Sequence, residues 1–170
     1  MRNVTWIFVV LLLCSLTSFV EKDKPTGGLN VGDLAPNLRV GTNSNGQQLY
    51  LDSRKSKYVL LSFWASYDAQ SRMQNASLSN IIQALPNNVE MISVSFDEYK
   101  SVFDETIRKD QIPASSCFLE TAGDASELYK AYSLNKGFKN FLLNDEGMIL
   151  AKNISASELV SYLTESKDKS

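Results

Sequence analysis

The 170-residue chain is 44% hydrophobic and 21% charged, which is enough for one buried core and too little for two. Its 17 basic and 19 acidic residues leave a formal net charge of -2, so no whole-chain field favours binding to nucleic acid or to an anionic membrane. Because the chain contains no histidine, the sequence excludes Ser-His-Asp triads, Cys-His pairs and zinc sites with imidazole ligands.

Residues 1–20 have the composition of an export signal. Arg2 precedes the almost wholly apolar run Val4–Leu13, and small polar residues then lead to the charged stretch Glu21–Lys24. The apolar run is shorter than the roughly 20 residues that a membrane span needs. We therefore expect a cleaved signal peptide and a soluble protein in the bacterial periplasm or cell envelope.

Cys14 leaves a second interpretation of this segment open. It closes the apolar run as Leu-Leu-Leu-Cys, which is where a lipidated cysteine would lie, although Leu13 is bulky where a small residue is expected. In that case a lipid on Cys14 would anchor the protein, and this is the only membrane association that the sequence predicts.

Residues 21–30 combine charges, a proline and two glycines without hydrophobic periodicity, so we predict a linker there. The folded domain is predicted to cover residues 31–165. Residues 166–170 are predicted to form a flexible tail.

Strands alternate with helices in the predicted domain. The pair Asn45-Gly46 is a strong turn signal, so Leu38–Val40 and Gln48–Leu51 should form a hairpin. The remaining predicted elements are, in order, strand Tyr58–Trp64, helix Ala69–Leu85, strand Val89–Phe96, helix Val102–Lys109, strand Ser115–Leu119, helix Ala125–Tyr132, a hairpin of Asn140–Leu143 with Met148–Lys152, and helix Ser157–Leu163. This order predicts an α/β sandwich in which a mixed sheet lies between helices.

Four stretches resemble one family in their order and spacing. They are VGDLAPNL at 31–38, YVLLSFWASYD at 58–68, VEMISVSFDE at 89–98 and NFLLNDEGMILAKN at 140–153. Together they are similar to the extracytoplasmic thioredoxin-like proteins of the TlpA/ResA type, which are related to redoxins and peroxiredoxins. The resemblance implies a thioredoxin-like three-layer sandwich with an N-terminal β-hairpin extension. It also implies the activity of a thiol-disulfide oxidoreductase.

The chain departs from this family at the two reactive cysteines. The family's strand-to-helix elbow has the form F-W-A-x-W-C-x-x-C, and Phe63–Ala65 match it in register, with Tyr67 at the position of the second tryptophan. Asp68 stands in place of the attacking cysteine, and Ser71 stands in place of the resolving cysteine. Disulfide exchange needs a thiolate and a second thiol, so we expect no redox catalysis at this elbow. Asp68 should instead cap the following helix by accepting from its free amides.

Other catalytic interpretations of the elbow are weak. A peroxiredoxin would need its attacking cysteine at this same turn. A hydrolase with Asp68 or Ser71 as nucleophile would lack a base, since Arg72 is the only charged neighbour in sequence. We therefore predict no catalytic residue.

The altered elbow is a candidate binding groove formed by Trp64, Tyr67, Asp68, Ser71 and Phe138. Phe138 holds the position of the family's cis-proline, or Gly137 does if the loop is offset by one residue. We expect Trp64 to be a core residue and Tyr67 to be half exposed. Phe138 is either an apolar contact for a peptide or a plug over the vacated site.

A cation site is a further alternative. Asp97 and Glu98 follow a strand and could meet Asp68 at the edge of the sheet, but acidic residues at a strand end are usually solvated and no calcium-loop spacing is present. We therefore predict no metal ion and no cofactor.

Cys117 is the cysteine that would remain after signal cleavage. It lies in the apolar run Cys-Phe-Leu, so a buried role as a small hydrophobe is favoured. The alternative is a lone thiol that forms mixed disulfides or links two chains.

Two functions remain open. The favoured one is a redox-inactive thioredoxin-like domain of the cell envelope that binds a peptide, a protein or a small ligand in the former active-site groove. The alternative is a thiol-disulfide oxidoreductase or antioxidant protein that works through Cys117 or through cysteines of a partner. The partner expected in either case is an envelope protein or peptide that the sequence does not identify.

Overall fold

A five-stranded mixed sheet forms the centre of the structure. The computed structural model describes residues 26–37, 39–42, 48–50, 56–85 and 89–168, and the predicted signal segment with Cys14 lies outside these ranges. The strands are β1 (Arg39–Thr42), β2 (Gln48–Tyr50), β3 (Tyr58–Trp64), β4 (Val89–Ser95), β5 (Cys117–Leu119), β6 (Asn140–Asn144) and β7 (Ile149–Lys152). The α-helices are α1 (Ala69–Ala84), α2 (Lys100–Lys109), α3 (Glu127–Ala131) and α4 (Ala156–Asp168).

The sheet has the strand order β5-β4-β3-β6-β7, which puts β3 in the middle. β3 runs parallel to β4 and β4 runs parallel to β5, while β6 is antiparallel to both β3 and β7. The mixed sheet is therefore confirmed. β1 and β2 form a separate antiparallel pair, which confirms the predicted hairpin, and the Asn45-Gly46 turn between them lies outside the described residues.

Alternate residues of β3 pack against different layers, because successive side chains of a strand point to opposite faces. Phe63 lies in a cluster with Tyr132, just beyond α3, on one face of the sheet. Leu60 lies on the other face, in a cluster with Leu78 of α1 and Leu159 of α4. Every residue of β3 is buried, as a strand covered on both faces requires. This arrangement confirms the three-layer sandwich.

The folded part begins earlier than the sequence predicts. The carboxylate of Asp33 accepts hydrogen bonds from the Thr26 hydroxyl at 2.6 Å and from the Asn30 amide at 2.8 Å. The Leu34 amide donates to the Thr26 carbonyl at 2.9 Å, and Leu29 packs against the core. Residues 26–30 therefore belong to the domain and not to a linker. The composition of residues 26–30 does not reveal this structure, because it depends on hydrogen bonds from Thr26 and Asn30 to Asp33.

The folded part also ends later than predicted. α4 continues to Asp168, through residues that were expected to form a loose tail. The segment after Leu163 contains no proline or glycine, and its glutamate and lysines are good helix formers, so nothing stops the helix at the end of its apolar face.

None of the helices in the described ranges combines the length and apolar character needed to cross a bilayer.

Several other boundaries differ from the predicted ones by a few residues, and the local sequence explains three of these differences. The strand predicted from Ser115 begins at Cys117, since Ala114–Ser116 form a 3-10 helix in which the Ser116 hydroxyl donates to the Pro113 carbonyl at 2.9 Å. α3 begins after Ser126, whose hydroxyl accepts from the Leu128 amide at 3.2 Å. α2 begins at Lys100, two residues before the predicted start at Val102. The prediction missed these residues because they are polar and add nothing to the hydrophobic period.

Asp68 is the N-cap of α1, as predicted. It has extended backbone angles, and its Oδ1 accepts a hydrogen bond from the Ser71 amide at 2.8 Å. A carboxylate at this place satisfies a free amide of the first turn and lies at the positive end of the helix dipole.

We predict that Asp68→Ala lowers the free energy of unfolding by about 1 kcal/mol, because the capping acceptor is lost. The matched control is Asp68→Asn, which keeps an acceptor and should change stability by only a few tenths of a kcal/mol. Urea unfolding followed by circular dichroism measures both values. Equal losses in the two variants would show that the cap is not the source of the stabilisation.

Candidate functional site

The elbow after β3 is fixed by a buried carboxylate from the neighbouring strand. Oδ1 of Asp97 accepts hydrogen bonds from the Ser66 amide at 2.9 Å and from the Ser66 hydroxyl at 2.6 Å. Oδ2 of Asp97 accepts from the Ser95 hydroxyl at 2.7 Å. Asp97 is only 2% exposed, so these donors replace its hydration. The turn that presents Tyr67 is thereby tied to the end of β4.

The expectation that Asp97 is a solvated carboxylate is therefore wrong. The parallel register places Trp64 opposite Ser95, so the residues just after β3 and β4 lie side by side at the same edge of the sheet. A serine two residues before the aspartate and another just after β3 are the signals that could have revealed this contact. In the described part of the chain, no group of three or more cysteine, aspartate or glutamate side chains is close enough to hold a metal ion.

Trp64 is a core residue, as expected, and does not reach the groove. Its side chain is completely buried, and its indole Nε1 donates to the Ser93 hydroxyl at 2.8 Å. The Ser93 hydroxyl in turn donates to Oδ1 of Asn75 on α1 at 3.0 Å. This chain of hydrogen bonds joins β3, β4 and α1 inside the core.

Ser71 is also buried and has no catalytic geometry. Its hydroxyl donates to the Asp68 carbonyl at 3.2 Å, and its amide donates to the Asp68 carboxylate. Arg72 makes two hydrogen bonds of 2.7 Å each with Asp110, so this charge is also paired. The elbow thus holds a capping carboxylate, a hydroxyl that donates to the backbone and a paired guanidinium.

An aromatic cluster covers one side of the elbow. Tyr67 is 74% exposed, which is more than the half exposure expected, and its ring lies 6.4 Å from the ring of Phe138. Phe138 stacks on Phe96 at 5.8 Å, and Phe96 meets Tyr129 edge to face at 5.4 Å. Phe138 therefore contacts the elbow through Tyr67, and Phe96 and Tyr129 are further members of the cluster that the sequence did not predict.

A groove of about 610 Å³ opens beside Tyr67. It lies where the parallel strands β3, β4 and β5 end, which is the usual place for ligands in open α/β sheets. Its lining comes from the elbow, the segment after β4, the start of α2 and the loop after β5, namely Ser66, Tyr67, Phe96, Asp97, Glu98, Tyr99, Val102, Thr121, Ala122 and Gly123.

Of the five residues predicted to form the groove, Tyr67 lines it and the other four do not. Asp68 and Ser71 form the helix cap, Trp64 is in the core, and Phe138 supports Tyr67 and Phe96 from behind. The groove lies on the β4 and β5 side of the elbow. The other walls of the groove were not predicted, because they come from two stretches that are distant from the elbow in sequence, 96–102 and 121–123.

Cys117 is at the start of β5, far from solvent. Its side chain is completely buried in a cluster with Trp64, Phe103, Ile107 and Ile112. It is unpaired with any other cysteine in the described residues. The favoured interpretation of Cys117 as a small core residue is confirmed.

Comparisons with known proteins identify the fold. No protein-family model matches the chain, and no curated protein matches it. A crystal structure of a thioredoxin-like protein from Parabacteroides distasonis is 43% identical, with a TM-score of 0.74, and the match covers 83% of this chain and 99% of that one. A thiol-disulfide oxidoreductase from Bacteroides fragilis is 28% identical, with a TM-score of 0.65, and the match covers 78% of this chain and 98% of that one.

A third structure shows the same fold at lower identity. The thioredoxin domain of a thiol-disulfide oxidoreductase from Bacteroides vulgatus is 23% identical, with a TM-score of 0.69, and the match covers 81% of this chain and 98% of that one. These matches agree with the central mixed sheet and the flanking helices. The described residues hold a single cysteine, Cys117, and the chain belongs to the thioredoxin-like superfamily.

Proposed function

We propose that this protein is a redox-inactive thioredoxin-like domain that binds a peptide, a protein or a small ligand in the groove beside Tyr67. The observation that carries the proposal is the state of the two positions where sulfur chemistry would occur. Asp68 is engaged as a helix cap, and Ser71 is buried beneath it. The elbow is thus preserved as a rigid turn next to an open groove, while its chemistry is missing.

Cys117, the cysteine within the described residues, is poorly suited to catalysis. Burial raises the pKa of Cys117 from its ordinary value of 9.0 to about 11. At pH 7 only about one molecule in ten thousand would carry the thiolate, which is the species that attacks a disulfide. A substrate would also have to pass the side chains of the surrounding cluster to reach the sulfur.

The alternative function is thiol-disulfide exchange, which the descriptions of two similar structures suggest. The Bacteroides fragilis and Bacteroides vulgatus proteins are thiol-disulfide oxidoreductases, so a redox role through Cys117 or through a partner's cysteines is the alternative. The binding role is better supported, because this alternative requires the buried thiol to become accessible.

The same proposal includes export to the periplasm or the cell envelope. It rests on the signal-like composition of residues 1–20 and on the family resemblance. Attachment through a lipid on Cys14 is the alternative to signal cleavage.

We predict that the protein reduces insulin disulfides and consumes peroxide no faster than the buffer background. The matched positive control is the double variant Asp68→Cys plus Ser71→Cys, which should close an intramolecular disulfide, because the two residues are already joined across the first turn of α1. Insulin turbidity and peroxide absorbance measure the activities. Activity in the wild type that disappears in Cys117→Ala would replace the binding role by the redox alternative.

We predict that Cys117 in the folded protein reacts with iodoacetamide at least about 100-fold more slowly than in the urea-unfolded chain, because a rise of two pKa units alone removes that much thiolate. The background variant Cys14→Ser ensures that the label reports Cys117 alone. Mass spectrometry of quenched samples gives both rates. Similar rates in the two states would contradict the buried, protonated thiol.

The raised pKa of Cys117 also predicts a pH dependence of stability. Folding favours the neutral thiol, so this stabilisation is complete below about pH 9 and is lost as the pH rises through about 11. Between these values the free energy of unfolding should therefore fall more steeply for the wild type than for Cys117→Ala, in which no thiol titrates. Urea titrations at several pH values measure the difference, and parallel curves would count against it.

A further inference from the structure

The groove beside Tyr67 combines exposed aromatic rings with acidic side chains. Tyr67 and Tyr99 both line it, and they are 74% and 61% exposed. Glu98 lies between β4 and Tyr99 on the same wall and is exposed. From this combination we propose that the groove binds a lysine or arginine side chain carried by an extended segment of a partner protein. The inference rests on the proposed binding function and names the chemistry of its ligand.

Negative charge is the first argument. The groove lining contains the acidic residues Asp97 and Glu98 and no lysine or arginine. The hydrogen bonds to Asp97 come from serine hydroxyls and a backbone amide, which stabilise the carboxylate without cancelling its charge. Glu120 adds a carboxylate beside the lining, since it accepts from the Ala122 amide at 3.0 Å.

The basic residues nearest along the chain already have acidic partners. Arg72 is held by Asp110 at 2.7 Å, and Lys100 lies 2.6 Å from Asp104 within α2. The hydrogen bond to Asp110 raises the pKa of Arg72 and the charge of Asp97 raises it further, so part of that charge acts on the guanidinium. The exposed carboxylate of Glu98 is therefore the negative charge that a cation entering from outside would meet first.

The aromatic rings are the second argument. A lysine or arginine head group is attracted to the face of a tyrosine ring, and arginine also stacks on it. The Glu98 carboxylate next to Tyr99 raises the pKa of the Tyr99 hydroxyl, as expected for an acid that lies beside the ring. A cation can therefore contact ring and carboxylate together, and the two attractions reinforce each other.

The exposed apolar surface favours a segment of a protein over a small free amine. Tyr67, Tyr99 and the 42% exposed Val102 border the same groove, so their apolar surface remains in water in the absence of a ligand. A free polyamine would neutralise the acids but leave most of that surface uncovered. A residue on either side of the cation would cover it, which is what an extended chain supplies.

A positional library of immobilised octapeptides tests the proposal with the full-length protein as the soluble binder. We expect lysine and arginine to be enriched at one position by at least about fivefold over glutamine and glutamate, a ratio worth about 1 kcal/mol. The preference should weaken as salt is raised from 50 to 500 mM. Spermidine, as the free amine, should compete only at concentrations far above those of the best peptide.

The variants Glu98→Gln and Tyr99→Leu locate the effect. Each should reduce the lysine and arginine preference severalfold while the circular dichroism spectrum stays unchanged. The matched control is Glu146→Gln, an exposed carboxylate in the turn after β6, whose end pairs with the start of β3 and so lies away from the groove. It removes the same charge and should leave the preference intact.

The outcomes separate the two proposals. Peptide binding that Tyr99→Leu weakens but that shows no preference for cations would overturn the inference and leave the proposed binding function standing. Spermidine that binds as tightly as the best peptide would overturn the choice of a protein segment. If no peptide is retained at any position and spermidine does not bind, this inference falls, while the proposed function is decided separately by the insulin and peroxide assays.

Discussion

The contact on which the site depends is the bond between the Asp97 carboxylate and the Ser66 turn. A single buried carboxylate receives a backbone amide and two serine hydroxyls from the ends of adjacent parallel strands. Because the donors come from both β3 and β4, the carboxylate fixes where the chain leaves the sheet and enters α1. The position of Tyr67, the start of the capped helix and the shape of the groove all follow from that one junction.

A carboxylate suits the helix N-terminus at the elbow as well as a thiolate would. A helix N-terminus favours an anion whether the anion is a thiolate or a carboxylate, since the free amides and the dipole act on charge alone. The Asp68 carboxylate lies at this N-terminus and accepts the Ser71 amide. This contact holds the first turn of α1 and needs no sulfur.

Sequence reasoning was most reliable where a residue's environment is set by its own element. The apolar run of β3 predicted a central strand, and the position of Asp68 before α1 predicted a cap, because both follow from local periodicity and capping rules. The groove could not be predicted in this way, since Tyr99 and Gly123 meet Tyr67 only after β4 and β5 have taken their register. Asp97 was misjudged for the same reason, and Thr26 was assigned to a linker because its partner Asp33 is not visible in composition.

The start of the described chain has a geometric consequence for how the domain is presented. Leu34 forms a bridge with Met148, next to β7, and the amide of Gly32 donates to Ile149 at 2.9 Å. These contacts lie beside the end of β6 that pairs with the start of β3, whereas the groove opens where β3 ends. A tether attached ahead of Thr26 would therefore join the domain at one end of the sheet. The groove lies at the opposite end, where the tether would not cover it.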